Sequence, residues 1–410
     1  LVQTGAPELA LLSDDGAVGD GVLAHFTAQA GDELVATHSG LCGKKILPQA
    51  NFVSGSQRKS INSVDGRGKR MYKNILKYDE MKRSEHMAVR QTVGWYYWTH
   101  QLIEISGPDV VKLLEYLYPN DIGNIKVGRD RYTTMLNENG EIIDDVVIMR
   151  MAEDRFWIST LFLTYTDDWI YYHSEGYDVD WSDITDEWDM FAVQGPRSKE
   201  MVNSIVENPV DGLKFFSHEP NKIGDMEVLI NRGGFTGEKF GYEIYCRKDR
   251  TDELEKILKD TAPGFEGKQV TEFQVMAWTL PTESGFYYMR DLAHTNPMEV
   301  GLDGNIDWEK DFIGKEALLK VKENGPEKEM VGFEVPEADI YIRSKQYGGP
   351  GEAVYIDGEE EEVGRVSKMV YSYVKEVNNG YILAKKDKLH VGDHIKIHGY
   401  DAVITEKKWI

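Results

Sequence analysis

The residues best suited to chemistry in this chain are carboxylates standing alone in otherwise apolar runs. Asp144 and Asp145 interrupt the run EIIDDVVIM, Glu243 sits within GYEIYC, and Glu283 within the helical pattern WTLPTESG. Burying a carboxylate is unfavourable unless it is paired or hydrogen-bonded, so each of these positions needs an explanation. A turn or an internal salt bridge is the commoner explanation for one such residue. A set of them can instead hold a flat ring of amide and amine donors, or shift in pKa and manage a proton. Aromatic residues gather in the same segments: Trp95 to Trp98, Trp157, Trp169, Trp278, Tyr287 and Tyr288. Core packing is their usual use, and flat walls for a flat ligand the sharper one.

Other chemistries lack their residues. GGFTGEKFGYE is glycine-rich, yet no Lys-Ser/Thr pair follows it as a phosphate-binding loop requires, and it reads as a connection between strands. The histidines show neither HExxH nor paired ligand spacing, so no metal site is expected. No GxSxG elbow occurs, and Cys42 and Cys246 lie in no nucleophile context.

The elements that must position these residues read as a mixture. Amphipathic spacing predicts a helix over 72–94, stopped at Gly94, then a strand through Leu102–Ile105. PDVVKLLEYLYP predicts a helix with Pro108 near its first position. RYTTML, the Asn139-Gly140 pair and EIIDDVVIMRM predict a strand, a tight turn and a strand. FAVQGPRSKE reads as strand, turn and helix, MEVLINRGGFTGEKFGYEIYC as two strands, RTDELEKILKDTA as a helix, and TEFQVMAWTLPTESGF as a helix interrupted at Pro281. After about residue 325 short strands with turn signals predict a small β-barrel or sandwich. Strands joined by hairpins beside helices point to an α+β fold.

Composition sets the frame. The 410 residues carry 47 Lys+Arg against 70 Asp+Glu, a formal charge of −23, with 41% apolar residues. This is globular composition and argues against nucleic-acid binding, which runs on surplus basic charge. Acid excess reads as a self-repelling surface, and a saline habitat would produce it equally. No apolar run approaches a membrane span. With no signal-peptide pattern and two cysteines, a cytoplasmic setting is expected. The numbering opens on Leu1, so the true start is expected upstream.

Several of these segments, in this order, resemble the family of the glycine-cleavage T protein, the folate-dependent aminomethyltransferases and their demethylase relatives. The resemblance is carried by EHMAVRQTVGWYYWTHQLIEISGPDVVKLLEYL, RYTTMLNENGEIIDDVVI, FAVQGPRSKE, GFTGEKFGYEI, ESG and DFIGKEAL, from about residue 72 to 325. It implies a three-domain clover-leaf around a channel for tetrahydrofolate, with a C-terminal β-barrel. The expected organisation is an extension over 1–60, a folate-binding catalytic region over 61–325 and a barrel over 326–410. By position Glu243 matches the acid that holds the pterin, Tyr132 a tyrosine of the folate wall, and Asp144 the catalytic aspartate, with Glu283 a further folate-binding carboxylate.

Departures from the T-protein pattern suggest the branch. Ala277 and Pro281 stand where an arginine pair falls in that protein, and Leu161 near its asparagine. WTHQ and VYSYVKE are similar to segments of tetrahydrofolate-dependent demethylases of methoxylated aromatic acids. The resemblance then implies methyl transfer from a small methylated donor, a methoxylated aromatic compound first, to N5 of tetrahydrofolate. A dimethylsulfoniopropionate-type demethylase and a glycine-cleavage aminomethyltransferase are the alternatives. His100 or Tyr288 is expected to protonate or hydrogen-bond the leaving oxygen, Asp144 to take the proton from N5, and Trp98, Gln101, Trp278 and Tyr287 to contact the donor.

Overall fold

The computed structural model describes residues 79–98, 101–336 and 349–410, with 63–64, 70–71, 77, 342, 344 and 345. The segment 1–60 and His100 lie outside the described residues. The chain forms two compact units, 1–74 with 339–341 and 75–338 with 342–410. In the first, Ser63–Val64 pairs antiparallel with Arg70–Met71. The remaining described strands belong to the second.

One sheet of six strands runs in the order Ser217–Ile223, Met226–Arg232, Gly241–Arg247, Trp188–Gln194, Gly94–Trp98 and Lys268–Gln269. Its neighbours are antiparallel except the last pair. A second, antiparallel sheet of five strands has the order Asp130–Leu136, Ile142–Ala152, Arg155–Thr160, Gln101–Ser106 and Asp180–Asp183. The strands Lys328–Val335, Val377–Lys385, Glu362–Ser372, Ala353–Ile356, His394–Ile397 and Tyr400–Thr405 close into a barrel. This is the α+β architecture with a small C-terminal β-barrel expected from the sequence.

Both faces of the six-stranded sheet are covered at its centre, which explains why the strands Gly94–Trp98, Trp188–Gln194, Met226–Arg232 and Gly241–Arg247 are largely apolar, while the edge strands are polar. Trp95, Phe191, Val193, Ile244 and Cys246 face Met201, Val202, Leu254 and Leu258 from the helices Ser198–Asn203 and Thr251–Thr261. Tyr96, Trp98, Met190, Ala192, Leu229 and Tyr245 face the other way, onto Met149 and Trp157 of the five-stranded sheet and Val275 to Leu280. The space between the two sheets is therefore shared by side chains from both.

Three local expectations are corrected. The first helix spans Glu80–Gln91, because the Asp79 side chain accepts from the Lys82 amide at 3.0 Å and caps it there. Pro108 precedes the helix Val110–Leu117, whose cap is Asp109. Pro281 does not end the helix: residues 273–283 are helical throughout, with a π-helical turn over Val275–Thr279 directly before the α-helical turn Leu280–Glu283 that holds Pro281. The Asn139-Gly140 turn forms as expected, Gly140 taking φ 76°. Among the described residues no helix is long and apolar enough to cross a membrane.

Candidate active site

A β-strand sends neighbouring side chains to opposite faces, so Asp144 and Asp145 part company. Asp144 is fully buried, and its Oδ2 accepts from the Thr160 hydroxyl and, at 3.1 Å, from Thr166 Oγ1. Oδ1 accepts from the Asp145 amide at 2.8 Å. Burial and the neighbouring Asp145 charge push its carboxyl up to about 8, against these bonds. Asp145 lies on the face of Val147 and Met149 and is half-buried. The Tyr132 hydroxyl donates to its Oδ2 at 3.0 Å. Burial pushes it up to about 6, with the Tyr132 bond and the Lys368 charge opposing and Asp291 assisting. The geometry thus pairs Tyr132 with Asp145 and leaves Asp144 in a closed hydroxyl cage on the far face.

Glu243 stands on the face of the six-stranded sheet that looks into the inter-sheet space. His218, Asn231, Glu243, Ala192 and Tyr96 are successive partners across five strands. Asn231 Nδ2 donates to Glu243 Oε2 at 3.1 Å. Burial, with the Asp130 charge adding to it, pushes Glu243 up to about 8. Asp130 reaches this group from the other sheet: its Oδ1 lies 2.6 Å from His218 Nδ1. Burial raises its carboxyl above the usual range despite His218. Asp130 and Tyr132 lie two residues apart on one strand and so share a face. Two buried acceptor atoms here, Asp130 Oδ2 and Asn231 Oδ1, have no hydrogen-bond partner in the protein.

Three of the expected aromatics come together. The Trp98 ring lies 6.2 Å from Phe273, which lies 5.9 Å from Trp278 and 6.4 Å from Tyr288. Trp278 and Tyr288 are 6.5 Å apart. Tyr288 keeps its proton, since burial raises its hydroxyl far above the usual value. Tyr287 turns away: its hydroxyl donates to Val300 O and accepts from Lys407 Nζ, both at 2.8 Å. Gln101 has a local task, its Oε1 accepting from the Leu163 amide at 2.8 Å at the start of the helix Leu163–His173.

Glu283 is also committed elsewhere. Its Oε2 accepts from His86 Nε2 and Arg90 Nε, each at 3.0 Å, and its Oε1 from the Ser372 hydroxyl. Burial alone would raise this carboxyl, but His86 and Arg90 hold it below its usual range. It ties the first helix to a barrel strand, with both oxygens already accepting from protein donors. The adjoining Gly237 takes φ +79° with its backbone against Ser284, so the GFTGEKFGYE loop and the ESG turn interlock through Ser284 Oγ donating to Thr236 O at 2.9 Å. Reading the sequence missed Arg90, Asp130, His218, Asn231 and the buried Lys368–Asp291 pair, whose charged atoms are 2.5 Å apart. Lys368, the one charge within VSKMVY, carried the signal of a lone polar residue in an apolar run, whereas His218 sits in the polar strand SHEPNKI and carried none. Among the described residues no cluster of His, Cys, Asp and Glu could hold a metal ion.

Fold and site together define an α+β protein whose inter-sheet space is lined by acceptors on one side and aromatic rings on another, suited to a flat ligand rich in N–H groups. A family model described as the GCVT N-terminal domain matches residues 68–310, and the chain belongs to that family. It is 30% identical over 324 residues to an aminomethyltransferase of Thermotoga petrophila, covering 76% of this chain and 84% of the relative. The aminomethyltransferase of Thermotoga sp. strain RQ2 is 30% identical over 273 residues, 66% of this chain and 74% of the relative. The crystal structure of glycine cleavage system aminomethyltransferase T from Bartonella henselae superposes with a TM-score of 0.72 over 84% of this chain and 92% of that one, at 22% identity, a likeness of fold. The family's cofactor is tetrahydrofolate. Its pterin offers amino and ring N–H donors, and the unpartnered Asp130 Oδ2 and Asn231 Oδ1 beside Glu243 are acceptors that fit them.

Proposed function

We propose that this chain is a tetrahydrofolate-dependent one-carbon transferase of the aminomethyltransferase type, moving its unit from an aminomethyl donor to the folate. The observation that carries this reading is the set of acceptors Glu243, Asn231 and Asp130, on the same inter-sheet space as the Tyr132–Asp145 pair. When bound, tetrahydrofolate supplies the amine nitrogen that receives the carbon.

Asp145, rather than Asp144, is the residue suited to proton handling. With its carboxyl near 6 it is largely ionised at pH 7 and can accept a proton from an amine whose acidity rises on alkylation. Asp144, near 8, stays largely protonated and is enclosed by Thr160 and Thr166. Tyr132 orients the Asp145 carboxylate through its hydroxyl.

A second reading, demethylation of a methoxylated aromatic compound, is favoured by one feature. The Trp98–Phe273–Trp278–Tyr288 group offers flat walls and a protonated phenol able to donate to a leaving phenolate, while Ala277 and Pro281 replace the T-protein arginines. One experiment separates the two. The protein is incubated with tetrahydrofolate and either an aminomethylated lipoyl carrier or a panel of methoxybenzoates. Methylene-tetrahydrofolate and ammonia with the carrier support the first reading. Formation of 5-methyltetrahydrofolate with a methoxybenzoate, and no product with the carrier, would replace it by the second.

A further inference from the structure

The barrel carries a buried ion pair with no part in the proton handling described above. Lys368 and Asp291 are both wholly shielded, with Nζ 2.5 Å from Oδ2. The strand Glu362–Ser372 shifts register against Val377–Lys385 between Val366 and Lys368, a bulge that leaves Ser367 unmatched. Two successive residues thereby reach one carboxylate: Ser367 Oγ donates to Asp291 Oδ1 at 3.2 Å, and Lys368 pairs with Oδ2. A regular strand would send them to opposite faces. Asp291 Oδ2 also accepts from the Tyr288 amide at 2.9 Å, and the Lys368 ammonium lies 6.0 Å from the centre of the Tyr288 ring. The short helix Met289–Leu292, which holds Asp291, packs against the barrel strand and against Ile142–Ala152, the strand of Asp145. A buried ion pair adds little to stability over apolar residues of the same volume, so its presence here calls for another role.

We propose that Lys368 and Asp291 are positioning residues for the transfer: together they set the field at Asp145 and, through the Tyr288 amide, hold the aromatic wall in place. The inference rests on the reading of Asp145 as proton acceptor and adds the barrel to the groups that tune it. Burial is the main influence on the Asp145 carboxyl, and the Tyr132 bond opposes it; beyond these, the Asp291 charge raises the carboxyl and the Lys368 charge lowers it. The other titratable groups acting here are Asp144, beside it in the chain, and Tyr288, which Arg290 also reaches. The two members of the pair thus pull one base in opposite directions.

The test is the titration of Asp145 in the purified chain, followed by carbon-13 NMR of the aspartate carboxyls, the Asp145→Asn spectrum identifying its signal. Asp291→Asn keeps an amide oxygen for the Tyr288 N–H and removes the negative charge, so the midpoint is expected to fall by about one pH unit. Lys368→Gln keeps an N–H donor for Asp291 and removes the positive charge. Asp291 stays ionised there through the Tyr288 amide, Ser367 and the nearby Lys345 charge, and the midpoint is expected to rise by about one unit. A merely structural role predicts one sign for both variants, because a loosened core hydrates Asp145 and lowers it. The acid limb of kcat/KM against pH, with tetrahydrofolate and the aminomethylated carrier, should move with the NMR midpoints. Thermal unfolding reports folding separately, and either variant that melts like the wild type with its midpoint unmoved overturns the inference by itself. Shifts of the same sign in both, or midpoints that move while the acid limb stays, also overturn it and leave the transfer reading standing. Absence of wild-type turnover with the carrier and with methoxybenzoates alike overturns both.

Discussion

Replacing Glu243 by glutamine is expected to stabilise the protein and weaken its ligand together. Glu243 is 5% exposed, and its folded-state carboxyl is raised from 4.5 to about 8. A raised carboxyl means that the folded state binds a proton that the unfolded chain has released. Folding is therefore penalised progressively as pH climbs from about 4.5 towards 8. At pH 7 this penalty is roughly 3 kcal/mol, and a neutral glutamine, which titrates in neither state, escapes it. Asn231 Nδ2 can still donate to the amide oxygen. Yet glutamine offers one acceptor and one donor where an ionised carboxylate offers two acceptors. Losing one hydrogen bond to a charged group costs about 1.5–3 kcal/mol, or roughly 10–100-fold in affinity for tetrahydrofolate. Thermal unfolding of wild type and Glu243→Gln from pH 4.5 to 8, with calorimetry at pH 7, measures both. The two melting temperatures should nearly coincide at pH 4.5 and separate by several degrees at pH 8, the variant above. A variant that melts lower at pH 8, or that binds tetrahydrofolate as tightly as the wild type, would refute the assignment of Glu243 as a strained ligand-binding acid.

Further outcomes follow from the neighbouring groups. Asp145→Asn should lower the rate of one-carbon transfer by roughly 100-fold with little change in tetrahydrofolate affinity, since it removes a base rather than a binding contact. Asp144→Asn should leave turnover at pH 7 near wild type, because that carboxyl is largely neutral there; the reverse ranking in steady-state kinetics would return the catalytic role to Asp144. Glu283→Ala should destabilise by about 3–5 kcal/mol in urea unfolding, as it leaves the buried Arg90 and His86 without their partner. Burial holds the His86 imidazole below its usual value despite the Glu283 bond. The unfolded chain therefore protonates first, and stability should fall as pH drops through about 6.5, a slope that His86→Phe flattens.

The outline of the fold was open to reading because its signals are local. Asn139-Gly140 marks a hairpin by backbone preference alone, and the segments after residue 325 are short strands set off by turn signals, which close into the barrel. The choice between Asp144 and Asp145 was not open in this way. Pairing runs Met135 with Asp144 but Leu136 with Ile142, so a bulge at Ile143 shifts the alternation counted from the turn. Only the folded register says which acid joins Tyr132. Partners distant along the chain were equally hidden: His218 meets Asp130 across 88 residues, and Arg90 meets Glu283 across 193. Glu283 shows the opposite failure. A carboxylate in an apolar helix was rightly singled out, but its explanation is the internal ion pair and not the ligand. The net charge of −23 hid all of this, since the acids that matter are a handful that face inward.

The central claim is that the acceptors around Glu243 bind tetrahydrofolate, and its most direct test is the proton balance of that binding. A carboxyl near 8 is about nine-tenths protonated at pH 7, and accepting N–H donors requires it to ionise. Calorimetric titration with tetrahydrofolate at pH 7, in two buffers of different ionisation enthalpy, should show saturable binding with release of nearly one proton, lost in Glu243→Gln. No binding, or binding with no proton released, would contradict it.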